Sequence, residues 1–184
     1  MKFVTLDFET AQYGPESACA AGLVRFENGC RTGSYYSLIR PPSLYIRPDF
    51  TAIHGIRTED VESAPRFSDI WETGILPFIG GLPVAAHNAR FDMRVLRAVL
   101  EYYGLGIPRI RYFCTLEIAR KLWPELPSRA LTKLAEHFGI EYEAHNALAD
   151  ADTCGLVALR AAKQAQAACV KTLLKKSGVS LHRF

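Results

Sequence analysis

Two acidic residues near the start of the chain, Asp7 and Glu9, are spaced for joint chemistry. Because side chains alternate along a strand, both would lie on one face, ~7 Å apart, with Leu6 and Phe8 on the other. Carboxylates this close repel each other and resist desolvation, and a divalent cation between them removes both costs. Oxygen ligands of this kind suit Mg²⁺ or Mn²⁺ rather than zinc. An exposed edge strand carries the same pair by chance, so a metal site needs further ligands elsewhere in the chain.

Two more acidic residues lie where a strand or a loop is predicted to run into a helix. Asp92 follows Asn88 and falls in the first turn of its helix, and Asp150 lies one turn into a helix that His145 precedes. Small residues around Asp150 leave room for another group to approach. The ordinary alternatives are an acid at Asp92 that complements the helix dipole, worth ~0.3–1 kcal/mol, and a surface histidine beside a solvated acid.

The hydrophobic pattern predicts the elements that must position these residues. Strands over 3–9, 18–26 and 35–39, with the turn signal Asn28-Gly29 between the last two, indicate an antiparallel meander. Two further strands are predicted over 82–86 and 110–113. Helices are predicted over 67–79, 89–103, 115–122, 128–138 and from 146 towards 163 or beyond, and Asn88 would cap the helix over 89–103. This order predicts an α/β fold with a mixed β-sheet flanked by α-helices.

Composition and charge limit the class of protein. A chain of 184 residues with 49% hydrophobic and 22% charged residues is typical of one globular domain. No apolar run approaches the ~20 residues that span a bilayer, and Asp7 interrupts any secretory signal, so we expect a cytoplasmic protein without membrane contact. The five cysteines are scattered and form no C-x-x-C pair, which predicts free thiols and no zinc site.

Charge is segregated along the chain. Six of the 22 basic residues follow Asp152, the last acidic residue, so the net charge is −3 up to that point and +6 beyond it. We therefore predict a main domain over 1–163 and a basic C-terminal tail over 164–184. Such a segment is typical of contact with a phosphate backbone, and equally of a solvated helix face with a frayed end.

Taken together, the acidic segments resemble the DEDD exonuclease superfamily in its histidine-bearing branch, called DEDDh or DnaQ-like, which includes the proofreading epsilon subunit of bacterial DNA polymerase III. The motifs Asp7-x-Glu9, Asn88-x-x-x-Asp92 and His145-x-x-x-x-Asp150 match in order and spacing over about residues 3–160, and His54-Gly55-Ile56 also resembles a family segment. The resemblance implies a ribonuclease H-like fold and 3′-to-5′ exonuclease activity on nucleic-acid 3′ ends. A polymerase is an expected partner, and we favour single-stranded DNA over RNA.

The resemblance also implies a role for each site residue. Two Mg²⁺ or Mn²⁺ ions would be held by Asp7, Glu9 and Asp150, with Asp92 acting nearby. His145 would be the general base, since an unperturbed imidazole accepts a proton at neutral pH. Contacts to the terminal nucleotide are carried over, less firmly, to Thr10, His54, Asn88 and Phe91, although the helical spacing of Phe91 favours a position in the core.

Two other functions fit part of the pattern. Asp7-Phe8-Glu9-Thr10 resembles the D-x-D-x-T loop of haloacid dehalogenase-type phosphatases, but Glu9 stands where an aspartate is usual, and that scheme leaves His145 and Asp150 unexplained. The other is a module that keeps the exonuclease fold and acts mainly when docked on a polymerase or in RNA processing. All five candidate catalytic residues are present, which favours an active enzyme.

Overall fold

In the computed structural model, which describes residues 1–184, the chain is built around a central strand, β1 (Lys2–Thr10). The other strands are β2 (Ala18–Glu27), β3 (Cys30–Leu38), β4 (Val84–Ala86), β5 (Arg111–Cys114) and β6 (His182–Arg183). The six strands form one sheet in the order β3-β2-β1-β4-β5-β6. The pairs β1–β4 and β4–β5 are parallel, and the pairs β1–β2, β2–β3 and β5–β6 are antiparallel.

Helices cover both faces of this sheet. The shorter ones precede β4, and the long ones alternate with the later strands or follow them. In chain order they are α1 (Pro48–His54), α2 (Thr58–Val61), α3 (Phe67–Ile70), a π-helical turn (Trp71–Ile75), α4 (Leu76–Ile79), α5 (Arg90–Tyr102), α6 (Thr115–Leu122), α7 (Leu131–Phe138), α8 (Ala147–Gln164) and α9 (Val170–Ser177). No helix has the length and apolar character needed to cross a membrane.

The alternation of β1 divides the core into two layers of equal size. Leu6 and Phe8 point into a cluster of 19 buried residues that includes the apolar sides of α3, α4 and α5. Phe3 points the other way, into a second cluster of 19 buried residues formed largely with α6 to α9. By the same alternation Asp7 and Glu9 share the side of Phe3, which is the side of α8.

A glycine lets α8 approach the sheet next to Asp7. Gly22 on β2 is the direct strand partner of Asp7. A Cβ atom at Gly22 would overlap the carbonyl group of Ala147 and the amide nitrogen of Leu148, both in the first turn of α8. Since only glycine lacks that atom, the start of α8 can rest on the strand beside Asp7.

The structure confirms the predicted fold class, meander and later alternation, and it corrects several elements. β3 begins at Cys30, well before the predicted 35, because this exposed edge strand carries polar residues without an apolar pattern. Asn88 does not cap α5: it has a left-handed backbone, and Ala89 is the cap residue with no side-chain cap bond. The predicted helix over 67–79 contains a π-helical turn. Four observed elements have no counterpart among those predicted from the sequence: α1, α2, α9 and β6.

The segment predicted as a basic tail is packed onto the domain. Leu173 and Leu174 of α9 are buried in the same cluster as α8, and β6 joins the edge of the sheet beside β5. Residues 164–184 therefore contribute both core and sheet, and removing them would expose apolar surface. Their charges are better tested by point substitution.

Gly22→Ala should destabilise the protein by about 1–3 kcal/mol, because the added methyl group must push α8 away from β2. Gly33→Ala on β3 is the matched control, since its Cβ would meet only a Phe78 ring carbon at an ordinary 3.6 Å. Urea denaturation of both variants measures the difference. Equal stability of the two would show that the approach of α8 to Gly22 is not tight.

Candidate active site

Three carboxylates meet at the end of β1. Asp7 and Glu9 from the strand and Asp150 from the first turn of α8 each offer an oxygen within 4.8 Å of the others. Asn146 fixes the start of α8, because its side chain accepts hydrogen bonds from the amides of Leu148 and Ala149 at 3.1 and 3.2 Å. The cluster therefore depends on strand alternation, on the approach of α8 at Gly22, and on a capped helix.

Asp92 is held just outside this group by the backbone of β1. β4 ends at Ala86 while β1 continues to Thr10, and the amide of Phe8 donates to Asp92 Oδ1 at 3.2 Å. Asp92 is buried in the first turn of α5. Since Phe8 lies between Asp7 and Glu9, this bond ties the second motif to the first.

Burial and mutual repulsion favour the binding of protons or cations by the four carboxylates at the end of β1. Burial, followed by the charges of Asp92, Asp150 and Glu9, raises the pKa of Asp7 well above its ordinary value. Burial and the charge of Asp150 raise the pKa of Glu9 to about 7. Burial also raises the pKa of Asp92 and, against the opposing influence of His145, that of Asp150. Without a cation, the site therefore retains protons near neutral pH.

His145 stands exposed at the entrance to α8, with a left-handed backbone at φ 63°. Its charge lowers the pKa of Asp150, five residues along the chain. No hydrogen bond holds the imidazole in the protein. The structure thus brings Asp7, Glu9 and Asp150 together, ties Asp92 to the same strand by one hydrogen bond, and leaves His145 exposed at the start of α8.

Beside the carboxylates is a small pocket of about 120 Å³. Two of the predicted nucleotide contacts, Thr10 and Phe91, line it. The core position favoured for Phe91 is wrong, because its side chain is 43% exposed. The helical spacing was misleading because the first turn of α5 buries Asp92 and Met93 and leaves Phe91 exposed.

Tyr13 is a residue of this pocket that the sequence analysis missed. It is 75% exposed, its ring lies edge-on to Phe50 at 5.1 Å, and Arg47 covers it at 4.8 Å. The only sequence signal for it is that an aromatic residue follows the Asp7-x-Glu9 motif by four positions. Two exposed rings, Tyr13 and Phe91, thus border one pocket.

The two other predicted nucleotide contacts, His54 and Asn88, differ in whether the protein already uses their side-chain polar atoms. The Nδ1 atom of His54 accepts from the amide of Ile56 and its Nε2 atom donates to the carbonyl of Thr10, both at 3.1 Å. His54 therefore holds the end of β1 in place, and its ring nitrogens are already used. Asn88, by contrast, is exposed and lines a groove with Arg120 and Arg129.

Tyr142 is a second residue that the sequence analysis did not find. Its hydroxyl is buried, and Asp150 is the hydrogen-bond partner indicated for it. Burial, together with the charges of Asp150 and Asp7, raises its pKa, so the group stays a neutral donor. No motif marks this residue, because its relation to Asp150 arises from the loop before α8.

A mixed sheet with four carboxylates at the end of its central strand defines the class: a nuclease domain of the ribonuclease H-like fold. The profile of the RNase_T family, described as "Exonuclease", matches residues 4–157. The chain belongs to this exonuclease family, as the three motifs predicted. The alternative of a haloacid dehalogenase-type phosphatase is thereby excluded.

Named relatives agree with this assignment. The chain is 33% identical over 162 residues to the DNA polymerase III PolC-type protein of Thermotoga maritima, covering 86% of this chain and 12% of that protein. It is 29% identical over 152 residues to the DNA polymerase III subunit epsilon of Aquifex aeolicus, covering 81% of this chain and 74% of that one. The chain thus spans a small part of the PolC-type relative and most of the epsilon subunit.

Solved structures share the fold. Exonuclease X in complex with 5′ overhanging duplex DNA has a TM-score of 0.77 at 23% identity, covering 95% of this chain and 99% of that one. The nuclease domain of 3′hExo, a DEDDh family member bound to rAMP, has a TM-score of 0.73 at 16% identity, covering 100% and 96%. At these identities the likeness concerns the fold.

In EDTA, the carboxylate cluster should reduce stability as pH rises, and comparison with a cluster variant separates this effect from the opposite contribution of His54 and His87, whose pKa values are lowered by burial. A carboxyl group whose pKa is raised by folding stabilises the protein fully below its unfolded pKa and loses that contribution as pH rises through the folded value. For Glu9 the window runs from 4.5 to about 7, and the loss is at most roughly 3 kcal/mol. Urea denaturation across this range measures it.

Asp7→Asn should flatten this pH dependence, because it removes the charge that the other carboxylates oppose. Glu125→Gln, an exposed acid on the loop after α6, is the control and should leave the slope unchanged. An equal change of stability with pH in wild type and Asp7→Asn would contradict the placement of Asp7 and Glu9 in a buried acidic cluster.

Proposed function

We propose that this chain is a metal-dependent 3′-to-5′ exonuclease that hydrolyses phosphodiester bonds at nucleic-acid 3′ ends and releases nucleoside 5′-monophosphates. The observation that carries the proposal is the convergence of Asp7, Glu9 and Asp150 within 4.8 Å, with Asp92 tied to the same strand. Membership of the exonuclease family supports the reaction class. The direction of attack comes from the DEDDh resemblance.

The residues present fit a pair of Mg²⁺ or Mn²⁺ ions. Their donors are all carboxylate oxygens, which such ions prefer, and a strand and a helix N-terminus set their spacing. The raised pKa values of Asp7 and Glu9 are what a site built for a cation shows in its absence. When bound, the ions would activate the attacking water and offset the charge that develops on the phosphate.

The protein's own residues would divide the remaining work. Asp7, Glu9 and Asp150 would hold the ions, and Asp92 would act at their edge, since its Oδ1 atom is already bound to Phe8. His145 would take the proton from the attacking water. Its exposed position just before α8, five residues before Asp150, and its lack of a hydrogen bond to the protein support this role.

The pocket bordered by Thr10, Tyr13 and Phe91 would receive the terminal nucleotide. Exposed aromatic rings bind bases by stacking whatever their sequence, and each stack is worth ~1–3 kcal/mol. Arg94 lies in the same lining and can meet the negative backbone. This arrangement suits an enzyme that removes any terminal base.

Single-stranded DNA is the substrate we favour, and a cytoplasmic location remains part of the proposal. The solved structures that share the fold include one with duplex DNA and one with rAMP, so DNA and RNA substrates must be compared directly. The polymerase III names of the relatives support a second candidate, a domain that works within a polymerase assembly. Robust turnover by the isolated chain would favour an independent nuclease.

Oligonucleotides of DNA and RNA, single- and double-stranded and labelled at the 3′ end, should release the label first as a mononucleotide with Mg²⁺ or Mn²⁺, and not at all in EDTA. Asp150→Asn should abolish release, because it removes one of the three converging ligands, while Glu125→Gln should retain it. Internal fragments as the first products, or full activity in EDTA, would overturn the proposal.

His145→Ala should lower the rate by ~10²–10⁴-fold, the usual worth of a positioned general base, while substrate affinity and the metal concentration for half-maximal rate stay close to wild type. The wild-type rate should rise with pH, because only a neutral imidazole can accept a proton, and this rise should vanish or shift in the variant. A near-normal rate at saturating metal, with a sharply raised metal requirement, would make His145 a ligand instead.

A further inference from the structure

Nine exposed arginines form no ion pair with any acidic residue, and six of them follow α5 and the edge of the sheet at β5 and β6. The five ion pairs of the protein all involve other residues. We call these six the arginine track: Arg90, Arg94 and Arg97 on α5, Arg109 before β5, Arg111 on β5 and Arg183 on β6.

The first half of the track follows one face of α5 away from the active site. Arg90, Arg94 and Arg97 recur at four- and three-residue spacing, so they share a face and span ~10 Å of helix. Arg94 lines the pocket that holds Phe91 and Thr10. Glu101, one turn beyond Arg97, is the only acid of α5 besides the buried Asp92.

The second half continues at the far edge of the sheet. The Arg97 guanidinium lies 4.7 Å from the centre of the Phe184 ring, which links α5 to the C-terminal strand. Next to Phe184 is a cleft of about 710 Å³ lined by Arg109, Arg111 and Arg183. The track therefore runs from the terminal-nucleotide pocket to the opposite end of β5.

Two arginines of the track face each other across neighbouring strands, and an anion bound between them would reduce their repulsion. Arg111 and Arg183 are direct cross-strand partners. Like charges placed opposite each other on neighbouring strands destabilise a sheet. Neither arginine forms an ion pair with an acidic residue that would relieve the repulsion. A phosphate backbone would supply the missing negative charge along the whole length of the track.

We propose that the arginine track binds the phosphate backbone of the substrate strand, leading it from the cleft at β5 and β6 along α5 to the active site. The inference rests on the proposed function, because it takes the pocket at Phe91 as the place of the strand's end. It gives the enzyme a binding site beyond the terminal nucleotide. The tail's basic charge then contributes through Arg183, while the lysines of α9 lie on the other face of the sheet.

The test uses the full chain with Arg97→Gln, Arg111→Gln and Arg183→Gln combined, three positions outside the terminal-nucleotide pocket. Binding of a labelled single-stranded oligonucleotide of about 20 nucleotides is measured in EDTA over a range of salt concentrations. Loss of three phosphate contacts should reduce the salt slope by about 2 and weaken binding on the order of 10- to 100-fold at low salt. Turnover of a dinucleotide should stay at the wild-type value.

Three matched variants sharpen the result. Combined Lys163→Gln, Lys171→Gln and Lys175→Gln removes the same charge from α8 and α9 and should leave the slope unchanged. Replacing the three track arginines by lysine keeps the positive charge and should keep most of the affinity. A loss of affinity in this variant as well would indicate damage to the fold. Arg120→Gln tests the competing groove beside Asn88.

Several outcomes would contradict the proposal that the arginine track binds the substrate backbone. They are an unchanged salt slope in the arginine triple variant, an equal loss in the lysine control, a loss confined to Arg120→Gln, and no measurable binding by wild type. Tight binding of oligoglutamate, with oligonucleotide binding unaffected by the substitutions, would point to an acidic protein partner instead. Failure of the wild type to degrade dinucleotides would count against the proposed function alone, because the binding measurement needs no turnover.

Discussion

Mutual repulsion among carboxylates that are partly withdrawn from water is the constraint on which this structure depends. Asp7, Glu9 and Asp150 lie within 4.8 Å, and Asp92 is buried one hydrogen bond away. Each has a pKa raised chiefly by burial. A fold that brings four such groups together sacrifices stability in the metal-free state, and a bound cation returns it.

The surrounding residues hold this unfavourable arrangement in place through backbone contacts. Gly22 lets α8 lie directly on the sheet beside Asp7, and the amide of Phe8 fixes Asp92. His54 secures the end of β1 through the carbonyl of Thr10. None of these three contacts uses a carboxylate oxygen of Asp7, Glu9 or Asp150.

The sequence predicted the catalytic centre better than its surroundings. Strand alternation places Asp7 and Glu9 together, and the family resemblance adds Asp92, His145 and Asp150, because short motifs at element ends carry this information. The position of Phe91 was misjudged because helical spacing alone does not say which residues of the first turn are buried, and here they are Asp92 and Met93. Tyr13, Tyr142 and the arginine track depend on contacts between segments distant in sequence, as with Arg111 and Arg183, and no local pattern encodes such pairing.

Calorimetric titration of Mn²⁺ into the metal-free protein near pH 7, repeated in buffers of different ionisation enthalpy, tests the central claim most directly. Because the pKa of Glu9 is raised to about 7 and that of Asp7 is also raised, metal binding should displace protons, and the observed heat should depend on the buffer. Asp7→Asn should abolish the high-affinity binding, whereas Glu125→Gln should leave it intact. Binding that releases no protons, or that survives Asp7→Asn unchanged, would contradict the account of a carboxylate cluster built around a cation.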